Sequence, residues 1–423
     1  MKKSFLAFVL STVLIHSFAY AQNKCESIFA DSTQFASFGF DATVKKVDFS
    51  KGHTLDLAKY IQRNLGMDLH DVKRSHDRFV ILAGDSQNFQ QEFNAEGIRS
   101  LTPIKKDYGT HTLSSGIDKN GQKVLVIGNL KGREQVLRSQ LLLKACDVPE
   151  ARIRTLGAVT SSKPEFLNTF KRMGPPPNLV VYGFSGTILK KILALSPLDV
   201  TSQLKFQWAA FQKKKMKDTR PEAQEPFYEL TLQDGRRVWL LTNVYGEKAL
   251  HLYEALVEHG VKDILVMGTA GSLNAQYPVG SLITPKEIST DGRNQSSGLS
   301  PIAGVPVEGT YSKVLTPLIE TNVWLDQQVK SQVDVVDVEL GYILAAHKKS
   351  PHVNLSAAFL VSDVMVGQQK HDLSNWTTQT LDSYAPRIFS VAQKMGPHLS
   401  SWSTKTLKVF YIENETAPTE VSK

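Results

Sequence analysis

The stretch that most constrains the fold is an apolar run at residues 264–266 that leads directly into residues 267–273, Met-Gly-Thr-Ala-Gly-Ser-Leu. Such an apolar run is typical of a buried strand. Small, glycine-flanked residues after a strand let the backbone and a short hydroxyl group approach a ligand closely. The sequence therefore predicts a strand that ends in a ligand-binding turn, with Thr269, Ala270 and Gly271 beside the ligand.

Two carboxylates follow apolar segments further along the chain in a similar way. Glu339 comes after residues 335–338, and Asp363 comes after residues 359–362. Ligands of open α/β sheets bind beyond the ends of the strands. A hydroxyl group and two acids at three strand ends are what a site for glycosyl transfer on such a sheet requires.

The length of 423 residues favours two or three domains, at roughly 150 residues for each domain. The clearest boundary is the sequence Gly-Pro-Pro-Pro-Asn at residues 174–178, because prolines stop a helix and stiffen the chain. We therefore predict an N-terminal domain at residues 22–173, a Pro-rich linker at 174–178, a second domain at 179–399 and a C-terminal tail at 400–423.

The first domain has the pattern of a smaller α/β domain. Strands are expected at residues 79–82, 124–129 and 153–159, and a helix at residues 133–145. Asn120 and Gly121 predict a two-residue hairpin turn. Nothing in this pattern points to one activity, so the sequence assigns no role to the domain.

The second domain alternates strands with helices over a longer stretch. Residues 228–233 and 236–242 flank Asp234 and Gly235, which is the composition of another hairpin turn. Further strands are expected at residues 179–182, 262–266, 279–284, 335–338 and 357–361, and a closing helix at residues 376–395. The alternation predicts a three-layer α/β/α domain with a mixed, largely parallel sheet.

The first 21 residues have the composition of a cleavable signal peptide. Lys2 and Lys3 precede an apolar run at residues 5–15, and Ala-Tyr-Ala at residues 19–21 is a small-residue cleavage pattern. The apolar run is too short to span a membrane, and an N-terminal anchor that stays attached is the alternative. We therefore expect cleavage before Gln22 and a periplasmic or secreted protein.

The remaining composition excludes several partners. Cys25 and Cys146 either pair in an oxidising compartment or remain two separate thiols, and their positions do not have metal-ligand spacing. The net charge of +8 is mildly basic, and part of it comes from a lysine run at residues 213–215 within a polar stretch. This run lacks the interleaved aromatic residues of nucleic-acid-binding proteins. No metal, cofactor, nucleic acid or membrane partner is therefore expected.

Four blocks of the second domain resemble the motifs of the nucleoside phosphorylases and nucleosidases. They are residues 246–249, residues 267–273 followed by 279–283, residues 336–339 and residues 361–363. They are similar, in that order, to the glycine turn, the Gly-Ser/Thr-Ala-Gly-Gly block, the Val-Asp-Met-Glu block and the Ile/Val-Ser-Asp block of that superfamily. The resemblance implies a nucleoside-phosphorylase-like fold for residues 179–399.

The resemblance also implies roles for the two acids in the cleavage of an N-ribosidic bond, which passes through an oxocarbenium-like sugar. Glu339 would hold the ribose hydroxyl groups and stabilise the positive charge, and Asp363 would donate a proton to the departing base. The other residues of the expected substrate site are Thr269, Ala270, Gly271, Val338, Trp324 and Ser362.

Each role has an ordinary structural alternative. Glu339 precedes a predicted helix, and an acid at that position stabilises the helix N-terminus through the helix dipole. Asp363 is of a residue type that often caps the end of a loop. Thr269 is equally compatible with a plain turn residue, and Trp324 with packing instead of stacking on the base or sugar.

The chain departs from the superfamily at the nucleophile. Val266 stands where phosphorylases often carry an arginine, and residues 183–187 contain neither a phosphate-binding arginine nor the water-activating glutamate of methylthioadenosine nucleosidases. Water is therefore favoured over phosphate. The leading hypothesis is an exported purine nucleosidase or related N-ribosyl hydrolase. The alternatives are a nucleoside phosphorylase or AMP-nucleosidase-like enzyme and a nucleoside-binding module without catalysis, and the resemblance leaves a homo-oligomer open.

Overall fold

Two β-sheets organise the chain in the computed structural model, which describes residues 47–84, 90–104, 111–130, 132–195, 227–290, 293–302, 305, 307–367, 370–375, 378–395, 402, 404–410 and 412. Five strands form the small sheet and ten form the large sheet within these residues. Both sheets belong to one compact unit that begins at Asp48.

The small sheet is built from the first part of the described chain. Its elements are α1 (Leu57–Leu65), α2 (Leu69–Ser75), β1 (Arg78–Ala83), α3 (Gln90–Glu96), β2 (Arg99–Pro103), β3 (Thr112–Ile117), β4 (Lys123–Leu130), α4 (Arg133–Ala145) and β5 (Ile153–Gly157). The strand order is β2-β3-β4-β1-β5, and β1 runs parallel to both β4 and β5. The central strands β1 and β4 are almost continuous buried apolar runs, as expected of strands covered on both faces.

The large sheet follows. Its elements are α5 (Lys163–Met173), β6 (Leu179–Tyr182), α6 (Ser185–Leu195), β7 (Phe227–Leu232), β8 (Arg237–Leu241), α7 (Lys248–Glu258), β9 (Asp263–Ser272), β10 (Leu282–Thr290), β11 (Arg293–Ser296), β12 (Val307–Lys313), α8 (Asn322–Lys330), β13 (Val335–Asp337), α9 (Leu340–His347), β14 (Asn354–Val364), α10 (Thr378–Ser383), α11 (Ala385–Met395) and β15 (Thr404–Phe410). The order is β11-β10-β12-β13-β9-β6-β8-β7-β15, and β14 pairs with both β9 and β10. Parallel pairs such as β9–β14 and antiparallel pairs such as β9–β13 make the sheet mixed.

Helices cover both faces of the large sheet. On one face, α5, α7 and α9 pack in an apolar cluster that includes Val266 of β9. On the other face, α6 and α11 pack in a second cluster that includes Leu265 and Met267 of the same strand. Neighbouring strand residues thus point to opposite helix layers. The predicted three-layer α/β/α fold with a mixed sheet, preceded by a smaller α/β region, is confirmed.

Both predicted hairpins are present, with Asp234 and Gly235 in the connection between β7 and β8 and Asn120 and Gly121 in that between β3 and β4. The turn at Asn120 and Gly121 is longer than the predicted two residues, because the Gly121 N–H donates to the Asp118 carbonyl oxygen over 3.0 Å. The φ angles are +79° at Gly121 and +84° at Gly235, which glycine adopts without strain because it has no Cβ atom. The predicted helix at residues 133–145 is α4.

The predicted turn at residues 267–273 is wrong, because β9 continues to Ser272. The strand β14 pairs with β9 from Asp263 to Ser272, and β13 pairs with Gly271 and Ser272. These partners come more than 60 residues later in the chain, so the local composition did not reveal them. The small residues therefore lie inside a strand and allow its neighbours to approach closely.

Other expectations concern the two ends of the chain, its two cysteines and its lysine run. The expected signal peptide at residues 1–21, Cys25 and the lysine run at residues 213–215 lie outside the described residues. Cys146 is buried at the end of α4, where burial raises the pKa of its thiol to about 12. Within the segment expected as a tail, β15 pairs with β7 at the edge of the large sheet. The domain boundaries stay a prediction.

Candidate active site

Gly271 is the residue at which three of the sequence blocks meet. Its backbone lies opposite Val336 of β13 on one side and opposite Asp363 of β14 on the other. A Cβ atom added at Gly271 would lie 3.1 Å from Asp363 Oδ2 and would overlap the end of Met365. Glycine fits this position because the end of the Met365 side chain, with the Asp363 carboxyl group beside it, occupies the space that a side chain would fill.

The Asp363 carboxyl group is buried where β14 bulges against β9. Ser362 Oγ donates a hydrogen bond of 2.7 Å to Asp363 Oδ1. Burial raises the pKa of Asp363 to about 6, the hydroxyl of Ser362 opposes this shift, and the charge of Asp372 adds to it. A carboxyl group with a pKa this close to neutrality can both hold and release a proton near physiological pH.

A second buried acid, Glu320, lies close enough to Asp363 for the two groups to interact electrostatically. Burial, reinforced by the charge of Asp363, raises the pKa of Glu320 well above its ordinary value, which favours the protonated form of this carboxyl group. A protonated carboxyl group offers a donor and an acceptor side by side, as a heterocyclic base requires. No motif in the local sequence marked Glu320 for this position.

Residues 52–56, which precede α1, lie against the same acids. Thr54 Oγ1 donates a hydrogen bond of 3.2 Å to Glu320 Oε2, and the backbone N–H of Thr54 donates one of 3.0 Å to the Glu320 carbonyl oxygen. The backbone N–H of Asp56 donates to Asp372 Oδ2 over 2.5 Å. Residues 52–56, which are far from Asp363 in sequence, therefore contact Glu320 and Asp372, the two acids that interact electrostatically with Asp363.

Asp337 and Glu339 form a pair of buried acids at the end of β13. Asp337 Oδ1 accepts a hydrogen bond of 2.5 Å from the hydroxyl of Tyr311, and both Asp337 oxygens lie 3.2 Å from the backbone nitrogen of Leu340. Glu339 occupies the N-cap position of α9 but makes no side-chain capping bond. Asp337 therefore caps the helix, while the Glu339 carboxyl group is held by the backbone N–H of Gly246 and by Asp337.

The two acids influence each other's protonation. Burial raises the pKa of Asp337 to about 6. Burial and the neighbouring charge of Asp337 raise the pKa of Glu339 well above its ordinary value, and a hydrogen bond from the backbone N–H of Gly246 opposes this shift. The two carboxyl groups therefore titrate as a pair, in which the charge of Asp337 disfavours the ionisation of Glu339.

The other predicted site residues lie around these acids or in the packing next to them. Thr269 is partly exposed on β9, two residues before Gly271, whereas Ala270 is buried in an apolar layer. Val338 and Trp324 are partly buried and pack against a small apolar cluster of the large sheet. Packing contacts are sufficient to explain Ala270 and Trp324, and a direct role of either residue at a substrate stays a prediction.

The small-sheet side of the chain also reaches this region. Glu134, in the first turn of α4, accepts a hydrogen bond of 3.0 Å from the backbone N–H of Glu247. Arg133 forms an ion pair with the Glu247 carboxylate, in which Arg133 Nε donates over 2.7 Å. The charge of Glu134 contributes to the raised pKa of Glu339. Charged side chains from both sides of the molecule therefore meet next to Glu339.

Within the described ranges, no group of three or more histidine, cysteine, aspartate or glutamate side chains could hold a metal ion. In the same part of the chain, no helix has the length and apolar composition needed to cross a membrane.

The resemblance to nucleoside phosphorylases is confirmed by a family comparison, in which residues 201–347 match the phosphorylase superfamily. Among solved structures, purine nucleoside phosphorylase from Schistosoma mansoni, in complex with adenosine, is 15% identical, with 57% of this chain and 98% of that chain covered and a TM-score of 0.38. A methylthioadenosine phosphorylase from an antarctic soil metagenomic library is 13% identical, with coverage of 53% and 87% and a TM-score of 0.36. No curated protein matches this chain.

Proposed function

We propose that this chain is a purine nucleosidase that cleaves the N-glycosidic bond of a nucleoside with water. The observation that carries the proposal is the position of Gly271 between Asp363 and the strand that leads to Glu339. Cleavage of this bond needs an acid at the departing base and negative charge at the sugar. The match to the phosphorylase superfamily supports a nucleoside as the substrate.

Asp363 acts as the general acid in this proposal. Its pKa of about 6 keeps a useful fraction of the carboxyl group protonated near neutral pH. It donates this proton to a ring nitrogen of the departing purine, which would otherwise leave as an anion. The hydrogen bond from Ser362 then stabilises the carboxylate that remains. Glu320, whose protonated form is favoured by burial, offers the base a donor and an acceptor in this proposal.

Glu339 holds the ribose in this proposal. Its carboxyl group accepts hydrogen bonds from the sugar hydroxyl groups, and the negative charge that it shares with Asp337 stabilises the oxocarbenium-like transition state. Tyr311 and the N-terminus of α9 hold Asp337 in place, so the charge stays at a fixed position. Thr269 donates a hydrogen bond to the ribose or to the attacking water in this proposal.

Water is the proposed nucleophile because the turn after β6, the first strand of the large sheet, contains no positively charged side chain that would bind phosphate. Residues 183–187 contain no arginine or lysine. Arg133 reaches the region of Glu339 from α4, but its charge is balanced by the ion pair with Glu247. A bound phosphate would have to compete with that carboxylate.

Export to the periplasm or the medium is part of the proposal and rests on the composition of residues 1–21. N-terminal sequencing of the protein recovered from outside the cytoplasm tests it. The expected first residue is Gln22, and a full-length protein retained in the cytoplasm contradicts export.

The test of the activity is base release from adenosine, inosine, guanosine, methylthioadenosine and AMP, each with and without phosphate. Release without phosphate that is lost in Asp363→Asn supports a nucleosidase. Asp118→Asn is the matched control, because Asp118 is an equally buried acid that pairs with Arg78 in the small sheet. Release that requires phosphate identifies a phosphorylase, and binding without release identifies a nucleoside-binding module.

A further inference from the structure

Glu134 belongs to the small-sheet side of the chain, but its carboxyl group is buried among residues of the large-sheet side. The side chain is 1% exposed at the first turn of α4. One oxygen accepts the hydrogen bond of 3.0 Å from Glu247 N–H, and the other accepts a hydrogen bond from the hydroxyl of Tyr342. Its two partners come 113 and 208 residues later in the chain.

Both partners of Glu134 adjoin Glu339. Gly246, the residue before Glu247, donates its backbone N–H to the Glu339 carboxyl group. Tyr342 lies in the first turn of α9, and its own backbone N–H donates to the Glu339 carbonyl oxygen over 3.1 Å. The Glu134 carboxyl group therefore holds both the Gly246–Glu247 turn, which contacts Glu339, and helix α9, which begins directly after Glu339.

The turn at Gly246 is shaped for this contact. Gly246 has a φ angle of +62°, and a Cβ atom added there would lie 2.5 Å from Glu134 Oε2. Because the residue is glycine, two successive backbone N–H groups can face two different carboxyl groups, Gly246 toward Glu339 and Glu247 toward Glu134. The ion pair of Arg133 with Glu247 ties the same turn to α4 a second time.

Stability alone is a poor explanation for this arrangement. Burial raises the pKa of Glu134, which shows that the ionised group is unfavourable in this environment. Buried charged groups contribute little net stability compared with apolar side chains of similar volume. They do fix geometry, because each oxygen must meet a donor in a defined direction.

We propose that Glu134 is a positioning residue for the Glu339 carboxyl group, acting through the Gly246–Glu247 turn and Tyr342. The first α/β region is then a part of the active site and not an appended domain. This inference rests on the proposed function of Glu339 as the ribose-binding acid.

The kinetic test compares Glu134→Ala with Glu134→Gln and with Glu96→Ala. Glu96 pairs with Arg78 and Arg154 within the small-sheet region, so its loss is a control for the removal of a bonded glutamate carboxyl group that does not contact the large-sheet side. Glu134→Ala is expected to lower kcat by about 10-fold or more with a smaller change in KM, since the sugar-binding acid is misplaced. Glu134→Gln, whose amide can still accept from Glu247 N–H, is expected to restore most of the rate. The proposal is overturned if Glu134→Ala and Glu96→Ala lose the same stability and Glu134→Ala keeps the wild-type kcat.

Hydrogen exchange of the Gly246 and Glu247 amides supplies a readout that needs no activity. Glu134→Ala is expected to expose both amides to exchange, whereas Glu96→Ala is expected to leave both protected. Exchange at Glu247 alone, with Gly246 still protected, overturns the positioning role. If both amides lose protection but the wild-type protein releases no base, the proposed function fails and the link from Glu134 to Glu339 stands.

Discussion

The acids on the two sides of Gly271 are held in different ways. On the base side, Asp363 is buried with Ser362 Oγ as a hydrogen-bond donor, and burial dominates its pKa of about 6. On the sugar side, Asp337 and Glu339 receive a tyrosine hydroxyl and backbone N–H groups from two elements. The donors from Tyr311 and the N-terminus of α9 fix the position of the Asp337 carboxyl group, whereas Asp363 receives the hydroxyl of its neighbour Ser362. This difference fits the two tasks of the proposed reaction, which are a fixed charge at the sugar and a proton for the base.

The largest effect is expected where both sides are disturbed together. Gly271→Ala would place a methyl group against Asp363 Oδ2 and Met365. We expect a loss of base release of about 100-fold or more, with destabilisation of about 1–3 kcal/mol from overpacking. Enzyme kinetics and urea denaturation measure the two effects.

Gly268→Ala is the matched control for that substitution, because an added Cβ on the same strand would lie 3.1 Å from the Phe359 ring and would touch neither acid. It should cost similar stability and retain most of the activity. Equal activity losses in the two variants would mean that Gly271 matters only for packing.

The next effect concerns the base side and pH. If protonated Asp363 is the acid and the Asp337–Glu339 pair supplies negative charge, kcat/KM for a nucleoside is expected to be highest near pH 6 and to fall on both sides, since Asp363 and Asp337 both have a pKa of about 6. The decrease between pH 7 and pH 9 should be about 100-fold, since the protonated fraction of a group with the pKa of Asp363 falls from about 10% to about 0.1%. The residual activity of Asp363→Asn should lack this decrease. A rate that rises between pH 7 and 9 contradicts the assignment.

A smaller effect concerns stability. The pKa of Asp363 in the folded protein, about 6, lies above its ordinary value of 3.8. The wild-type protein therefore loses stability as pH rises from about 4 through 6, because an ionised group must then be buried. Asp363→Asn avoids this cost and is expected to be more stable by about 1–3 kcal/mol at pH 8, with no gain near pH 4. Urea denaturation at both pH values checks this, and a destabilised variant at pH 8 argues against it.

The smallest effect concerns the contact between residues 52–56 and Glu320. Thr54→Val removes the hydroxyl that donates to Glu320 Oε2. We expect a loss of about 1 kcal/mol in the free energy of unfolding and a change of only a few-fold in base release. Thr54→Ser keeps the donor and should behave like the wild-type protein in both assays. A Thr54→Ser variant as impaired as Thr54→Val would contradict this prediction, because Thr54→Ser keeps the hydroxyl group that donates to Glu320.

Local patterns were sufficient for the hairpins and for α4. Asn120-Gly121 and Asp234-Gly235 mark the positions of the hairpin connections, and the helix at residues 133–145 contains no glycine or proline that would interrupt it. The extent of β9 could not be predicted in this way. Its last residues form a strand because β13 and β14 pair with them, and that pairing is a property of the whole sheet.

The same reason explains why only some acids of the candidate site could be identified from the sequence. Glu339 and Asp363 lie in blocks that resemble family motifs, so the sequence marked them. Glu320 and Glu134 lie in no such block, and each becomes notable only through burial and through partners far away in sequence. The N-terminal region therefore had no role at the sequence level, although the structure brings it against both acid clusters.

The most direct test of the account compares a nucleoside with 4-nitrophenyl riboside, whose leaving group departs without needing a proton. Asp363→Asn is expected to lose about 100-fold in rate on the nucleoside but to approach the wild-type rate on the nitrophenyl riboside. Glu339→Gln is expected to lose activity on both substrates, since both pass through the same oxocarbenium-like sugar. Equal losses on both substrates in Asp363→Asn would contradict the assignment of Asp363 to the departing base and of Glu339 to the sugar.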